Sequence, residues 1–211
     1  MKKLFLFVGM IFAINLGAQS QYEKGMNKAF ELWNKGKLTE SSNLFERIAK
    51  AEKENWIPFY YAAYLEIITS FNEKDEAKLK AKLEKASGHL DTGLLYSKDN
   101  AEILIIQALL NTSYIKFDGQ KYGMSMTGKN EVLFKKAMKL APNNPRVILQ
   151  KAEWDMGTAR FFGKPLDPYC KDIEKAIELF KKEKKSDVQY SPSWGKERAE
   201  KALRQCKKQK D

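Results

Sequence analysis

The chain has 211 residues, and its 38 Lys and Arg against 27 Asp and Glu give a formal charge of +11. So basic a chain invites a nucleic-acid reading, but no nucleic-acid-binding motif accompanies the charge. A lone histidine and two distant cysteines leave no set of metal ligands at a useful spacing.

The first residues bear on the compartment. Lys2 and Lys3 precede an apolar run from Leu4 to Leu16, broken only by Gly9 and Asn15, and the small residues Gly17 and Ala18 follow. That is the layout of a secretory signal peptide, and it is too short for a span of ~20 apolar residues. "LGAQ" resembles a bacterial lipobox, but Gln19 stands where the lipidated cysteine is required. We therefore expect cleavage after Ala18 and no lipid anchor. Residues 1–18 read as a signal peptide and 19–211 as one helical-repeat domain, exported to the periplasm or secreted. Removal of Lys2 and Lys3 lowers the charge to +9. No later run is long enough to span a bilayer, so no transmembrane segment is expected after cleavage.

Strand signals are nearly absent: there are no alternating Val/Ile/Thr runs and no Asn-Gly hairpins. Leu, Ala, Lys and Glu dominate, as helices prefer. The pattern predicts an all-α chain with helices over 21–35, 39–54, 58–72, 74–90, 100–117, 129–141, 145–162, 169–184 and 194–208. Gly36 suits a helix C-terminus, Thr39 a cap and Pro58 a first turn, while Pro142 and Pro145 bracket a break. The fold expected from these is a right-handed, tetratricopeptide-like stack of about four helix pairs with a C-terminal capping helix.

Between the fifth and sixth predicted helices lies "GMSMTGKN". Gly123, Gly128 and Lys129 stand at the spacing of a phosphate-binding loop, with Asn130 where Ser or Thr belongs. Such a loop follows a buried strand and opens a helix, and its hydroxyl holds a metal. The preceding segment, "NAEILIIQALLNTSYIKF", is too long for one strand and begins at a helix cap. We read 118–130 as a long inter-helix loop and expect no nucleotide partner. Tyr122, Met124 and Met126 either form a soft contact surface there or fold down onto the neighbouring pair.

Repeats follow from the second helices. "SSNLFERIAKA" places Ser41 before Phe45, "NEVLFKKAMKLAPNNP" places Asn130 before Phe134 and carries the closing Pro142, and "KAIELFKK" places Ala176 before Phe180. A small residue lets the neighbouring helix approach, and the Phe fills the gap beside it. Successive pairs recur at about 37 to 45 residues, longer than the ideal tetratricopeptide period. The run "NNPRVILQKAEWDMGTARFFGKP", then "KAIELF" and "SPSWGKERAEKAL", resembles a group of exported tetratricopeptide-like proteins of Gram-negative envelopes. It departs from them at the turn, which reads "GKPLDPYC". The resemblance covers about the last half of the chain and implies a fold and a compartment, without an activity or site residues.

No chemistry-bearing constellation stands out. His89 in "ASGHLD" reads as a helix C-terminal histidine. No Ser or Cys carries a nucleophile signature. The late cationic runs "FKKEKKSD" and "RQCKKQKD" read as solvated helix ends. The leading expectation is a non-enzymatic scaffold of the cell envelope that binds a protein or peptide through the concave face of its helix pairs. It needs no cofactor and has no nucleic-acid partner. The alternative is a small-ligand or glycan-binding module, with an enzyme built on the 118–130 loop as a third reading. Candidate binding residues are Tyr61 and Tyr64 in "FYYAAY", Tyr122, Met124, Met126 and Trp154. Trp194 is expected to cap the stack.

Cys170 opens the eighth predicted helix and Cys206 lies near the end of the ninth. The two helices run ~21 Å and ~18 Å between the relevant residues at ~1.5 Å each. An antiparallel pair would therefore bring the thiols within disulfide reach. The alternative is two separate thiols, one of them buried.

Overall fold

The computed structural model describes residues 21–52 and 54–207, so the signal-peptide reading lies outside the described residues. The described chain is all-α, with nine helices and no strand among those residues. Helix α1 covers 21–34. The others are α2 Leu38–Ala51, α3 Trp56–Ser70, α4 Glu76–Tyr96, α5 Ala101–Phe117, α6 Gly119–Leu140, α7 Pro145–Phe161, α8 Asp167–Lys182 and α9 Lys196–Lys207. They form two compact units, Met1–Ser97 and Lys98–Asp211.

In the first unit, Gly36 takes the positive φ of 75° that ends α1. Asn55 and Asp75 cap α3 and α4 by accepting from the backbone N–H groups of Ile57 and Lys78. Helix α3 is apolar on nearly every side, and 11 of its 15 residues are buried, so it is the central element with α2 and α4 packed on it. Small residues set the spacing. Ser41 Oγ donates to the Ala29 carbonyl of α1 at 2.8 Å, and Ser42 Oγ lies 3.2 Å from the Ala62 carbonyl of α3. Each hydroxyl is satisfied across the contact, so the backbones approach without orphaning a polar group. Phe45 fills the gap beside them at 0% exposure, with the rings of Phe30 and Tyr61 at 5.1 and 5.2 Å.

The second unit repeats the scheme with different chemistry. Asn100 caps α5 through Glu102 and Ile103, and Asn144 caps α7, whose first residue is Pro145. Ile103, Ile105 and Ile106 of α5 are fully buried. Helices α7, α8 and α9 share an aliphatic core that includes Leu149, Met156, Leu166, Ile173, Ala199 and Ala202. Cys170 and Cys206 are joined by a disulfide across the α8–α9 pair, their Cα atoms 5.8 Å apart. Gly195 takes φ 119°, and a Cβ there would lie 2.5 Å from Phe180 Cζ. Only glycine lets the turn before α9 lie flat on that ring.

Three expected boundaries are corrected. The stretch 118–130 is not a loop: α6 starts at Gly119, where the Asp118 side chain accepts from Lys121 N at 3.0 Å. The glycines are absorbed because tertiary contacts hold the helix. Asn130, fully buried, accepts from Asn111 Nδ2 at 2.9 Å and donates to the Ala108 carbonyl at 3.2 Å. Helix α4 continues through Gly88 to Tyr96, because Leu90 and Gly93 extend its buried face. His89 is thus mid-helix and not at a C-terminus. Helix α9 begins at Lys196, two residues after Trp194, since Gly195 is outside helical φ.

Candidate functional site

The predicted binding residues are distributed over both units. In the first, Tyr61 and Tyr64 are only 3% and 9% exposed, so they belong to the core. Tyr61 sits 4.8 Å from Phe30, and Tyr64 sits 5.6 Å from Trp33, ring centre to ring centre. Trp33 is half-buried and forms the solvent-reached edge of this aromatic cluster. In the second unit, Tyr122 packs on Tyr114 at 5.0 Å and Met126 is half-buried one turn along. Met124 is 94% exposed and, two residues from Tyr122, faces the other way. Trp154 is half-buried on α7, its Nε1 donating to Glu131 Oε1 at 2.9 Å and its ring 6.2 Å from Phe134. The structure therefore does not gather Tyr122, Met124 and Met126 into one surface. Gly123, Gly128 and Lys129 lie inside α6, so their N–H groups belong to a helix and not to a phosphate cradle. Trp194 is half-buried before α9, with the Arg198 guanidinium 6.0 Å from its ring.

Each unit holds an ionic network that links several helices. In the first, Lys85 Nζ bridges Glu46 at 2.8 Å and Glu66 at 3.0 Å. Hydrogen bonds from Lys50 and Lys85 hold the Glu46 carboxyl down at about 2. His89 Nε2 is buried without a hydrogen-bond partner, 4.0 Å from Glu46 Oε2, and burial lowers its pKa. In the second unit, Arg146 Nε reaches Glu102 Oε1 at 2.8 Å and its Nη2 reaches Glu183 Oε1 at 2.6 Å. Asn144 Nδ2 donates to the same Glu102 oxygen at 2.6 Å. Burial pushes the Glu102 carboxyl up, against the pull of Arg146. These groups bind one another across helices, which is structural work. Among the described residues no group of three or more His, Cys, Asp or Glu is placed to hold a metal ion. No helix of the described chain is long and apolar enough to cross a membrane.

The feature the sequence reading missed is an exposed aromatic tip. Phe161 and Phe162, at the end of α7, are 82% and 62% exposed, their rings edge to face at 5.1 Å. Met156 and Ala159 point into the core. Phe161, two residues beyond Ala159, falls on the opposite face. That phase mismatch was visible in "MGTARFFG", but only once the inward face of α7 is known.

No family model matches the chain, and no curated protein does. Among solved structures, the HusA haemophore from Porphyromonas gingivalis matches with a TM-score of 0.78 at 24% sequence identity, covering 90% of this chain and 94% of that chain. At that identity the likeness is one of fold.

Proposed function

We propose that this chain is an exported, non-enzymatic protein that binds a small, flat, largely apolar ligand, with haem as the first candidate. The observation that carries the reading is the end-to-end likeness to a haemophore, which spans 90% of this chain. Shared architecture alone does not fix function. The side chains add support: Trp33 gives the aromatic cluster of the first unit a solvent-reached edge, and a flat apolar ring suits such an edge. The charged clusters at Glu46 and Arg146 are engaged internally, so they offer no acid–base pair to a substrate. This reading prefers the ligand-binding alternative over the protein scaffold. We also read the helix pairs as tetratricopeptide-like, on the Ser41/Phe45, Asn130/Phe134 and Ala176/Phe180 spacings. The disulfide supports an oxidising, extracytoplasmic compartment.

The test is titration of the chain from Gln19 onward with haemin, read by the haem absorption band and by quenching of the four tryptophans. We expect a saturable one-to-one complex at low micromolar haemin or tighter. Linear, non-saturating uptake like that of an unrelated basic helical protein would overturn the reading.

A further inference from the structure

The aromatic tip at the end of α7 is held out by a rigid frame. The turn closes with Lys164 N donating to the Ala159 carbonyl at 2.8 Å and Gly163 N to the Arg160 carbonyl at 3.1 Å, while Gly163 takes φ 63°. That is the bond pattern of a glycine-terminated helix, and it fixes the direction of the chain. On either side the frame is anchored in the core, by Ala159 at 2% exposure and Leu166 at 4%. Four residues after Leu166, Cys170 is tied to Cys206. Phe161 and Phe162 thus have no inward position to adopt without dismantling the turn. Two adjacent large apolar side chains this exposed mark an interaction site.

Its shape and charge select the partner. Its two rings are too exposed to enclose a small ligand, which takes a cleft. The tip must insert into something else. Over residues 158–165 the charged side chains are Arg160 and Lys164, both cations. Lys164 Nζ lies 5.7 Å from the Phe162 ring centre, which puts the cation at the same level as the aromatic. From Lys98 to the end of the chain, 24 Lys and Arg face 15 Asp and Glu. That excess disfavours a second copy of this unit as the occupant. Exposed aromatic rings flanked by cations suit the boundary between lipid headgroups and acyl chains, where rings bury their faces and cations meet phosphates.

We infer that Phe161 and Phe162, with Arg160 and Lys164, form a tip by which this protein docks on an anionic lipid surface. The contact is peripheral and reversible, because two rings bury far less apolar area than a spanning helix. It places the protein at a membrane while leaving both units in water.

Co-flotation of the chain from Gln19 with lipid vesicles tests this. The vesicles are phosphatidylcholine alone, or an equimolar mixture with phosphatidylglycerol, at low ionic strength. We expect binding to the anionic vesicles that salt weakens. The double variant Phe161→Ser/Phe162→Ser should reduce the partition coefficient at least ~10-fold. Lys164→Gln should reduce it ~5-fold on anionic vesicles and little on neutral ones. Both changes are at exposed positions, so the thermal midpoint should stay at the wild-type value. Val188→Ser, at an exposed apolar residue of the α8–α9 connection, is the control and should bind as wild type. The proposal fails if the wild-type chain does not bind anionic vesicles, or if the double-serine variant binds equally well. It also fails if binding requires a protein in the membrane, seen as capture by native membranes that is lost after protease treatment and absent from pure lipid.

Discussion

The two units are both built from helices packed on their neighbours in sequence, and they are stitched in different ways. Over residues 21–97, 12 basic and 12 acidic side chains balance, whereas the second unit carries 24 against 15. The first unit is held by aromatic rings around Phe45 and Tyr61, and its ionic cluster is half-buried, with the Lys85 side chain 35% exposed. The second has a largely aliphatic core, a disulfide and a buried Arg146–Glu102 pair, the Arg146 side chain 7% exposed, with Glu183 reaching it from the surface. The difference teaches where charge matters for folding. A salt bridge in contact with water contributes little, because solvent already screens it. A buried one is indispensable once built, because each partner would be stranded without the other.

The sharpest test of that contrast removes one cation from each network. Arg146→Met should destabilise the second unit by ~3–5 kcal/mol, since it leaves Glu102 and Glu183 without their counter-charge. Adding Glu102→Leu and Glu183→Leu should recover most of the loss, because nothing charged then remains to be stranded. Lys85→Met in the first unit should cost ~1 kcal/mol or less, as expected of a partly solvated pair. Urea unfolding of the four proteins measures all three values. Equal losses from Arg146→Met and Lys85→Met would erase the distinction between the networks.

The disulfide gives the next largest effect, again confined to one unit. The bond closes a loop with a sequence separation of 36. Its removal in Cys170→Ala/Cys206→Ala should cost ~3–4 kcal/mol in the chain-entropy model. The check is a thermal melt with and without reductant. Wild type should lose stability on reduction and the double variant should not respond. A wild-type midpoint indifferent to reductant would show that α9 is held by Ala199, Ala202 and Leu203 alone.

Much of the fold was legible from caps and periodicity. Gly36, Asn100 and Pro145 stand at real helix ends because their chemistry is local: a positive φ, an orphaned N–H, a preset φ. The start of α6 was not legible. Gly119, Gly123 and Gly128 lower helix propensity, and contacts with α5 such as Tyr114–Tyr122 and Asn111–Asn130 offset that loss. Those are tertiary facts, separated by up to 19 residues. The candidate site was less legible still. Tyr61 and Tyr64 read as candidate binding residues in "FYYAAY", and α3, buried on nearly all sides, takes them into the core. The Phe161–Phe162 tip was hidden for the reverse reason, since exposure depends on phase against a core that the sequence does not draw.

The smallest effect distinguishes the units by pH. The chain's one histidine, His89, is in the first unit, and burial lowers its pKa below the ordinary value. Glu46 and Glu66 pull the other way, and Lys85 and Lys50 add to the lowering. In the unfolded chain His89 titrates near ~6.5. As pH falls through that value, the unfolded state takes up a proton that the folded state resists. Stability should therefore be full above about pH 7 and decline below ~6.5, until the folded-state pKa is reached. The loss belongs to the first unit, so it is best followed where only Trp33 and Trp56 report, in a Trp154→Phe/Trp194→Phe background. Urea midpoints in that background should drop between about pH 7.5 and 5.5, and His89→Gln should flatten the drop. An unchanged pH slope in His89→Gln would assign the acid sensitivity to carboxylates instead. A midpoint that rises on acidification would mean that Glu46 holds the imidazolium more strongly than burial opposes it.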